Sequence, residues 1–244
     1  GAASDYMNDF DVVVASDGLN SKTRMEFAEA FEPDIDLRKC QFVWLGTHQK
    51  FDDAFTFIFE ETEKGWVWAH AYQFDDDTAT FIVECSQAPF DNFGFAKMSQ
   101  EQSIAVCEEI FRDHLGDHGL MTNAQHIRGS AWIRFPRVLC KNWSHKNVVL
   151  LGDAAATAHF SIGSGTKLAL ESAIALADQI TTAPDLVTAF KTYEDTRRLE
   201  VLRLQSAARN SVQWFEDVER YLNLDPVQLN YSMLTRSRRI SHEN

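Results

Sequence analysis

At two places in the sequence, an adjacent aspartate and glycine directly follow an apolar run. Asp17 and Gly18 follow a β-branched run near the amino terminus, and Gly152 and Asp153 follow a second such run. A carboxylate at the carboxyl end of a parallel strand is well placed to accept hydrogen bonds from hydroxyl groups of a bound cofactor. An Asp-Gly pair is also an ordinary turn. The sequence therefore predicts a cofactor site at these strand ends, and a plain turn is the alternative for Asp17.

A second candidate is the segment Gly163, Ser164, Gly165 and Thr166, which comes before a long helical pattern. A glycine pair that opens a helix leaves backbone N–H groups and the positive end of the helix dipole facing whatever binds there. The segment differs from the phosphate-binding P-loop, because Lys167 follows a threonine instead of a glycine. We expect an anionic or electron-rich group at this helix start; a loop that only caps the helix is the alternative.

Three polar residues lie among the aromatic residues of a predicted sheet, namely His48, His70 and Tyr72. They are the candidate catalytic residues, as polar contacts to an aromatic ligand, although a histidine on a strand is more often packed or at the surface. No metal site is predicted, because His114 and His118 have no third ligand nearby and glycines interrupt their helix. A solvated helix end is the expected role of these two histidines.

The elements that must position these residues alternate between strands and helices. Apolar spacing predicts helices over 21–30, 99–115, 164–180 and 184–221, the first with Ser21 as its N-cap. Strand patterns cover 11–15, 41–47, 54–60, 66–73, 78–85, 127–135 and 147–151, and residues 75–77 are a predicted hairpin turn. The last strand is a continuous apolar run, which is typical of a buried parallel strand. The prediction is an α+β fold.

The composition limits the classes of function. The 244 residues include 23 Lys+Arg and 36 Asp+Glu, a net charge of −13, and 45% of them are hydrophobic. This composition is globular, and its negative charge argues against nucleic-acid and membrane partners. The four cysteines contain no CxxC pair, so we expect buried reduced thiols. Because the sequence contains no long apolar run and no secretory pattern, we expect a cytoplasmic location. The polar start before the first strand leads us to expect that the chain begins inside a larger protein.

Two spaced motifs carry a resemblance to a known family. Residues 11–24 resemble the DG motif of the single-component flavoprotein aromatic hydroxylases, and residues 148–169 resemble their GD motif and flavin-facing loop. Within that loop, residues 159–167 look most like the monooxygenase part of anthraniloyl-CoA and salicylyl-CoA hydroxylases. Flavoprotein tryptophan hydroxylases of indole pigment pathways look similar in the same loop. The resemblance runs from about residue 11 to the carboxyl terminus.

The resemblance implies an FAD cofactor, reduction by NADH or NADPH, and hydroxylation of an aromatic substrate by O2, with an aryl-CoA thioester as the first choice. It implies that Asp153 binds the ribityl chain of FAD while residues 163–166 lie against the isoalloxazine pyrimidine edge. Asp17 and Gly18 are expected beside the FAD and near the path of NAD(P)H, and Arg24 is expected to supply positive charge for a phosphate.

The same resemblance implies a division of the chain into four segments. Residues 1–38 and 137–183 are the remaining parts of a Rossmann-like FAD-binding domain, 39–136 a mostly antiparallel substrate-binding sheet, and 184–244 a carboxyl-terminal helical region. Two departures limit this interpretation. Ala156 stands where the family often has histidine, and no G-x-G-x-x-G fingerprint for the FAD pyrophosphate occurs in the chain.

Because that fingerprint is missing, we expect the chain to be the carboxyl-terminal part of a hydroxylase. Two alternatives remain open at this point. One is a related flavin hydroxylase that acts on a free indole or phenol. The other is an inactive fragment or substrate-binding module that does not retain FAD. The oligomeric state is also open, and a homo-oligomer is one option.

Overall fold

The computed structural model describes residues 2–51, 54–122 and 131–239. The chain divides into two units, each with its own hydrophobic core. Unit 1 consists of Gly1–Leu37 and Pro136–Asn244, and unit 2 consists of Arg38–Phe135.

Helices and strands both contribute to the described residues, so the α+β prediction is confirmed. The strands are β1 (Val13–Ala15), β2 (Pro33–Thr47), β3 (Thr56–Thr62), β4 (Gly65–Gln73), β5 (Ala79–Cys85), β6 (Leu120–Met121), β7 (Ile133–Cys140), β8 (Ser144–His145) and β9 (Val148–Leu150). The helices are α1 (Lys22–Glu26), α2 (Ala28–Phe31), α3 (Gln87–Phe93), α4 (Gln100–Ile110), α5 (Arg112–Leu115), α6 (Gly165–Thr182), α7 (Leu186–Glu216) and α8 (Pro226–Thr235). Short 3-10 turns connect several of them.

Unit 1 contains a small sheet in the order β1-β9-β8. The first two strands are parallel, with Val13 opposite Val148 and Ala15 opposite Leu150. All three residues of β9 are buried, which agrees with the parallel strand predicted from its apolar run. The two loops that follow β1 and β9 therefore leave the sheet at the same edge.

The core of unit 1 packs beneath this sheet. Its largest buried side chains are Trp143 and Tyr193, and the Tyr193 hydroxyl donates to the Leu150 carbonyl oxygen at 3.1 Å. Helix α6 supplies Leu168 and Leu176, and α7 supplies Phe190 and Val201. The predicted helix over 164–180 is confirmed as α6, whereas the predicted region over 184–221 is one helix that ends at Glu216, and the separate helix α8 was not foreseen.

Unit 2 contains the strand order β3-β4-β5-β2-β6, with β7 also paired to β2. The four predicted strands are confirmed as antiparallel neighbours. One face carries small and aliphatic residues such as Val43, Ala69 and Val83, which pack with Phe90 and Phe111 of the helical segments. Phe81 of β5 belongs to this first face. Because side chains alternate along a strand, the other face carries most of the remaining aromatic residues, among them Trp68 and Tyr72 of β4.

Three predicted elements differ in detail. The helix predicted over 21–30 breaks at Phe27, whose φ of −114° and ψ of 39° are not helical, and so forms α1 and α2. The helix predicted over 99–115 likewise breaks at Phe111. The strand predicted over 127–135 corresponds to β7, and residues 127–130 lie outside the described residues.

The turn predicted at residues 75–77 is confirmed between β4 and β5. One carboxylate oxygen of Asp75 accepts hydrogen bonds from the backbone N–H groups of Asp77 and Thr78 at 2.9 and 2.7 Å. This local capping is the usual reason for aspartate at a turn. In the described part of the chain, no helix is both long and apolar enough to cross a membrane.

Candidate functional site

The loop after β1 is organised by Asp17. Its Oδ1 accepts from the Ser21 hydroxyl at 2.5 Å, and its Oδ2 accepts from the Thr23 N–H at 3.0 Å. Partial burial alone would raise the pKa of Asp17, but the hydrogen bonds from Ser21 and Thr23 outweigh it and hold the pKa below its ordinary value. Ser21 also caps α1 as predicted, since its side chain accepts from the Arg24 N–H. Asp17 therefore holds the start of α1.

Arg24 joins the loop after β1 to the loop after β9. Its side chain is only 3% exposed, and its guanidinium donates to the carbonyl oxygens of Leu19, Asp153 and Ala154, the last two at 3.3 and 3.0 Å. These are contacts with backbone carbonyls, and the expected contribution of Arg24 to phosphate binding stays a prediction. A planar guanidinium suits this role, because its donors point in several fixed directions. The sequence offered one signal for the contact, an arginine on the first turn of the helix beside the DG motif.

The loop after β9 begins with Gly152, which has a φ of +63°. This left-handed conformation favours glycine, and a Cβ there would also lie 3.3 Å from the Ala169 Cβ on α6. Glycine at this position lets α6 pack closely against the strand-end loop. The next residue, Asp153, lines a small cavity together with Gly165 and Leu168 of α6.

The Asp153 side chain is exposed at the surface, yet the protein around its carboxyl removes enough water to raise its pKa above the ordinary value. The positive charge of Arg24 acts in the opposite direction. The hydrogen bonds that fix this loop come from Arg24 to backbone carbonyls and do not involve the Asp153 carboxyl.

The glycine segment lies at the amino end of α6. Gly163 has a φ of +59° and ends a short turn, and Ser164 is the N-cap residue of α6. The Ser164 hydroxyl does not cap the helix but donates to the Ile162 carbonyl oxygen at 3.1 Å. A Cβ added at Gly163 or Gly165 would meet nothing within 4 Å, so both glycines border open space. The helix start therefore offers backbone N–H groups and a positive dipole end to that space.

The remaining residues of this segment point outward. Thr166 is exposed, and the Lys167 ammonium pairs with the Glu171 carboxylate one turn along α6. Of the predicted cofactor-binding residues, Asp17 and Arg24 hold the loops, Gly18 follows β1 with a φ of +77°, and the others border the cavity or the open helix start.

In unit 2 the predicted residue His70 is fully buried on β4. Its Nε2 lies 2.8 Å from Oε2 of Glu84, and the same oxygen accepts from Trp68 Nε1 at 2.9 Å. Glu84 stands directly opposite Trp68 in the antiparallel pair of β4 and β5. Sequence reasoning missed Glu84; its only signal was a single acidic residue inside an otherwise apolar strand. A buried carboxylate with two donors fixes both rings on the aromatic face.

The other two predicted residues differ in their surroundings. Tyr72 lies on the same face of β4 and stacks on Phe55, with ring centroids 5.0 Å apart. His48 follows the end of β2, where its Nδ1 lies 2.8 Å from the Asp77 carbonyl oxygen. The structure therefore joins His70 and Tyr72 to one aromatic surface, while His48 contacts the turn between β4 and β5.

The predicted helix end at His114 lies at the surface, with its Nε2 2.7 Å from Oε1 of Glu60. Across residues 2–51, 54–122 and 131–239, no group of three or more histidine, cysteine or acidic side chains is arranged to hold a metal ion.

Comparison with known proteins gives three relatives over most of this chain. Salicyloyl-CoA 5-hydroxylase of a Streptomyces species is 40% identical over 242 residues, which cover 95% of this chain and 46% of that protein. A 3-hydroxy-4-methyl-anthranilyl-[aryl-carrier protein] 5-monooxygenase of Streptosporangium sibiricum is 40% identical over 88% of this chain and 56% of its own. Protodeoxyviolaceinate monooxygenase of Chromobacterium violaceum is 34% identical, over 90% and 57%. The chain thus spans about half the length of the curated relatives it matches.

Solved structures give the same fold. PqsL of Pseudomonas aeruginosa, in complex with 2-aminobenzoylacetate, superimposes with a TM-score of 0.59 and 21% identity over 86% of this chain and 57% of its own. A 2-methyl-3-hydroxypyridine-5-carboxylic acid oxygenase has a TM-score of 0.60 and 16% identity over 93% and 59%. No family model matches the chain. At 34 to 40% identity, the chain is thus similar over 88 to 95% of its length to parts of three named hydroxylases and monooxygenases.

Proposed function

We propose that the chain is part of an FAD-dependent monooxygenase that uses O2 and NADH or NADPH to hydroxylate an aromatic ring carried as a thioester. One observation carries the proposal. The loops after the parallel strands β1 and β9 and the open amino end of α6 lie together in unit 1, in a chain 40% identical to salicyloyl-CoA 5-hydroxylase.

The residues of unit 1 fit a flavin. Asp153 offers an exposed carboxylate after a strand end, which suits the hydroxyl groups of a ribityl chain. Gly163 and Gly165 leave open space in front of the first turn of α6, which suits a flat and electron-rich ring edge. When bound, the flavin supplies the redox chemistry, including the reaction with O2.

The chain's own residues have positioning and electrostatic roles in this proposal. The first-turn N–H groups of α6 stabilise negative charge on the ring edge, and Gly163 and Gly165 allow the ring to approach them. Arg24 keeps the loops after β1 and β9 at a fixed separation through its carbonyl contacts. Asp17 contributes indirectly, because its hydrogen bonds with Ser21 and Thr23 hold the helix that carries Arg24.

The aromatic face of unit 2 supports the substrate class. Phe55, Phe57 and Tyr72 offer ring surfaces suited to packing with another aromatic ring, and such contacts keep water away from it. Two of the relatives are named for aryl groups carried on CoA or on a carrier protein. These names support a thioester of a hydroxybenzoate or an aminobenzoate as the substrate.

The reductant and the cellular location are part of the same proposal. NADH or NADPH is the reductant that the family resemblance implies. The four cysteines are all buried free thiols, which agrees with the reducing environment of the cytoplasm.

The test starts with the chain itself and then uses the protein expressed from its complete reading frame. Each is mixed with FAD, desalted and examined for flavin absorbance, and NAD(P)H oxidation is measured with salicyloyl-CoA, salicylate and no aryl compound. We expect retained flavin and oxidation coupled to a hydroxylated CoA product. A flavin-loaded protein that yields no hydroxylated product from either aryl compound contradicts the proposed function, and a product from salicylate alone contradicts the thioester.

A matched pair of variants connects the result to the site. Asp153→Asn removes the carboxylate that borders the cavity, whereas Asp178→Asn changes an exposed aspartate farther along α6. We expect weaker flavin retention only in the first variant. Equal retention in both would contradict a contact between Asp153 and the flavin.

A further inference from the structure

Helix α8 is fastened to the end of α7 by polar contacts. The Trp214 indole N–H donates to the Ser232 hydroxyl of α8 at 2.8 Å. Trp214 also stacks on Tyr221, in the connection between α7 and α8, with ring centroids 5.0 Å apart. Arg236 follows directly at the carboxyl end of α8. These contacts belong to a part of unit 1 that carries none of the predicted site residues.

The Arg236 guanidinium connects three segments. Its Nε donates to the Ser211 hydroxyl on α7 at 3.0 Å, one terminal nitrogen donates to the Met233 carbonyl oxygen on α8, and the other donates to the Ser161 carbonyl oxygen at 3.1 Å. The group also lies over the Phe215 ring, 5.3 Å from its centroid. An arginine can make these contacts together because its donors are fixed in one plane.

Ser161 belongs to the turn that leads into the glycine segment. Its N–H donates to Nδ1 of His159 at 3.2 Å, and the Gly163 N–H donates to the Phe160 carbonyl oxygen at 2.9 Å. A hydrogen bond to the Ser161 carbonyl fixes the orientation of the peptide that joins Ser161 to Ile162. Gly163 follows at once, so this orientation determines where the glycine segment begins.

We propose that Arg236 is a positioning residue that holds the turn over 160–162, and through it the glycine segment over 163–166, in place from helix α8. The effect on the turn is independent of any ligand. The effect on FAD rests on the proposed function, because it assumes that the glycine segment faces the flavin. Displacement of α8 would then weaken cofactor binding without any change in a residue that touches the cofactor.

The experiment compares Arg236→Gln, Arg236→Lys and the control Arg239→Gln. Arg239 lies three residues further on and is exposed, so its substitution removes the same charge without these contacts. Hydrogen exchange of the Gly163 amide is measured first without FAD. We expect exchange about tenfold faster in Arg236→Gln, the size of effect that loss of a charged hydrogen bond gives. Arg236→Lys restores part of the protection, and Arg239→Gln leaves it unchanged.

Amides of β9 and β5 report whether the fold has changed elsewhere. If Arg236→Gln loses protection there too, Ser211→Ala is used instead, because it keeps the guanidinium and removes only the partner of Nε. We then expect a smaller acceleration at Gly163 with unchanged amides in β9 and β5. Unchanged exchange at Gly163 in Arg236→Gln, or in Ser211→Ala where that variant is needed, overturns the proposal.

FAD retention is measured next on the same variants. We expect weaker retention and a shifted flavin absorbance band in Arg236→Gln but not in Arg239→Gln. If no variant and no wild-type protein retains FAD while exchange at Gly163 changes as expected, the proposed function fails and the positioning of the turn stands. If the wild type retains FAD and Arg236→Gln retains it equally with normal Gly163 exchange, the positioning role fails alone.

Discussion

The candidate groups in units 1 and 2 are built in opposite ways. In unit 1 the charged side chain of Arg24 is used to hold backbone loops, and the groups that border open space are glycines, a helix start and one carboxyl. In unit 2 the backbone is an ordinary antiparallel sheet, and the distinctive chemistry lies in side chains such as Glu84 and His70 on one face. A site made from backbone needs polar side chains as supports, whereas a site on a sheet face uses the side chains themselves.

The largest expected effect concerns the support in unit 1. Arg24→Ala removes the donors to the carbonyl oxygens of Leu19, Asp153 and Ala154 from a buried position. We expect a loss of about 3 to 4 kcal/mol in the free energy of unfolding, because several charge-assisted hydrogen bonds disappear together. Urea unfolding followed by circular dichroism measures it.

The control for that variant is Arg203→Ala. Arg203 forms an exposed ion pair with Glu200 on the same helix, and such pairs contribute at most about 1 kcal/mol. Equal losses in the two variants would mean that Arg24 does not hold the loops, and the contrast between the two units would lose its basis.

The next effect concerns the side chains of unit 2. Glu84→Ala removes the carboxyl oxygen that is the hydrogen-bond partner of both Trp68 Nε1 and His70 Nε2 on β4. We expect a loss of about 2 to 3 kcal/mol, because two buried ring N–H groups lose their acceptor. Tryptophan fluorescence should also change, because the environment of the Trp68 indole changes.

Glu60→Gln is the matched control for Glu84, since Glu60 pairs with His114 at the surface. We expect a change within about 0.5 kcal/mol. A Glu84→Ala protein with wild-type stability and fluorescence would show that the carboxylate does not fix the aromatic face.

The same contrast explains what the sequence could predict. The strand ends at Asp17 and Asp153 were found because glycine and aspartate beside an apolar run have narrow structural meanings. The sheet itself was also found, through alternation and turn residues. The carbonyl contacts of Arg24 were not predicted, because a guanidinium can bind a phosphate or a backbone carbonyl with the same donors.

Glu84 was missed for a different reason. The importance of Glu84 depends on strand register, because Glu84 stands opposite Trp68. The sequence of one strand alone does not specify which residue of the other strand it will face. Likewise the contact between Arg236 and Ser161 joins positions 75 residues apart. Long-range contacts of this kind follow from packing of α8 on α7, which no local pattern in the sequence specifies.

A pair of glycine variants sharpens the comparison within unit 1. Gly152→Ala places a side chain at positive φ and next to Ala169, so we expect a loss of about 1 to 2 kcal/mol. Gly165→Ala meets open space at the start of α6 and should leave stability unchanged or raise it by up to about 1 kcal/mol.

The effect on FAD retention should come from Gly165→Ala, the variant with little effect on stability. The methyl group of Gly165→Ala enters the space proposed for the flavin ring, so we expect weaker FAD retention after desalting in a protein of normal stability. Full retention in Gly165→Ala would argue that the open space in front of α6 is not part of the flavin site.

The smallest expected effects concern Asp17 and Asp153, whose folded pKa values are shifted in opposite directions. Hydrogen bonds from Ser21 and Thr23 outweigh burial and lower the folded pKa of Asp17, so its contribution to stability is present above the unfolded value near pH 4 and is lost as the pH falls through the folded pKa. Burial raises the folded pKa of Asp153 despite Arg24, so ionisation of Asp153 costs stability as the pH rises past the unfolded value.

We therefore expect Asp17→Asn to lower the free energy of unfolding at about pH 7 and Asp153→Asn to raise it, each by a few tenths of a kcal/mol because both carboxyls are exposed. The Asp153 difference should shrink as the pH falls to the unfolded value near 4, whereas the Asp17 difference should disappear only when the pH falls below the lowered folded pKa of Asp17. Urea unfolding over this pH range measures them, and each variant serves as the control for the other. A loss of stability in both variants at neutral pH would mean that the Asp153 carboxyl stabilises the fold as Asp17 does. The distinction in unit 1 between side chains that hold loops and groups that border open space would then be wrong.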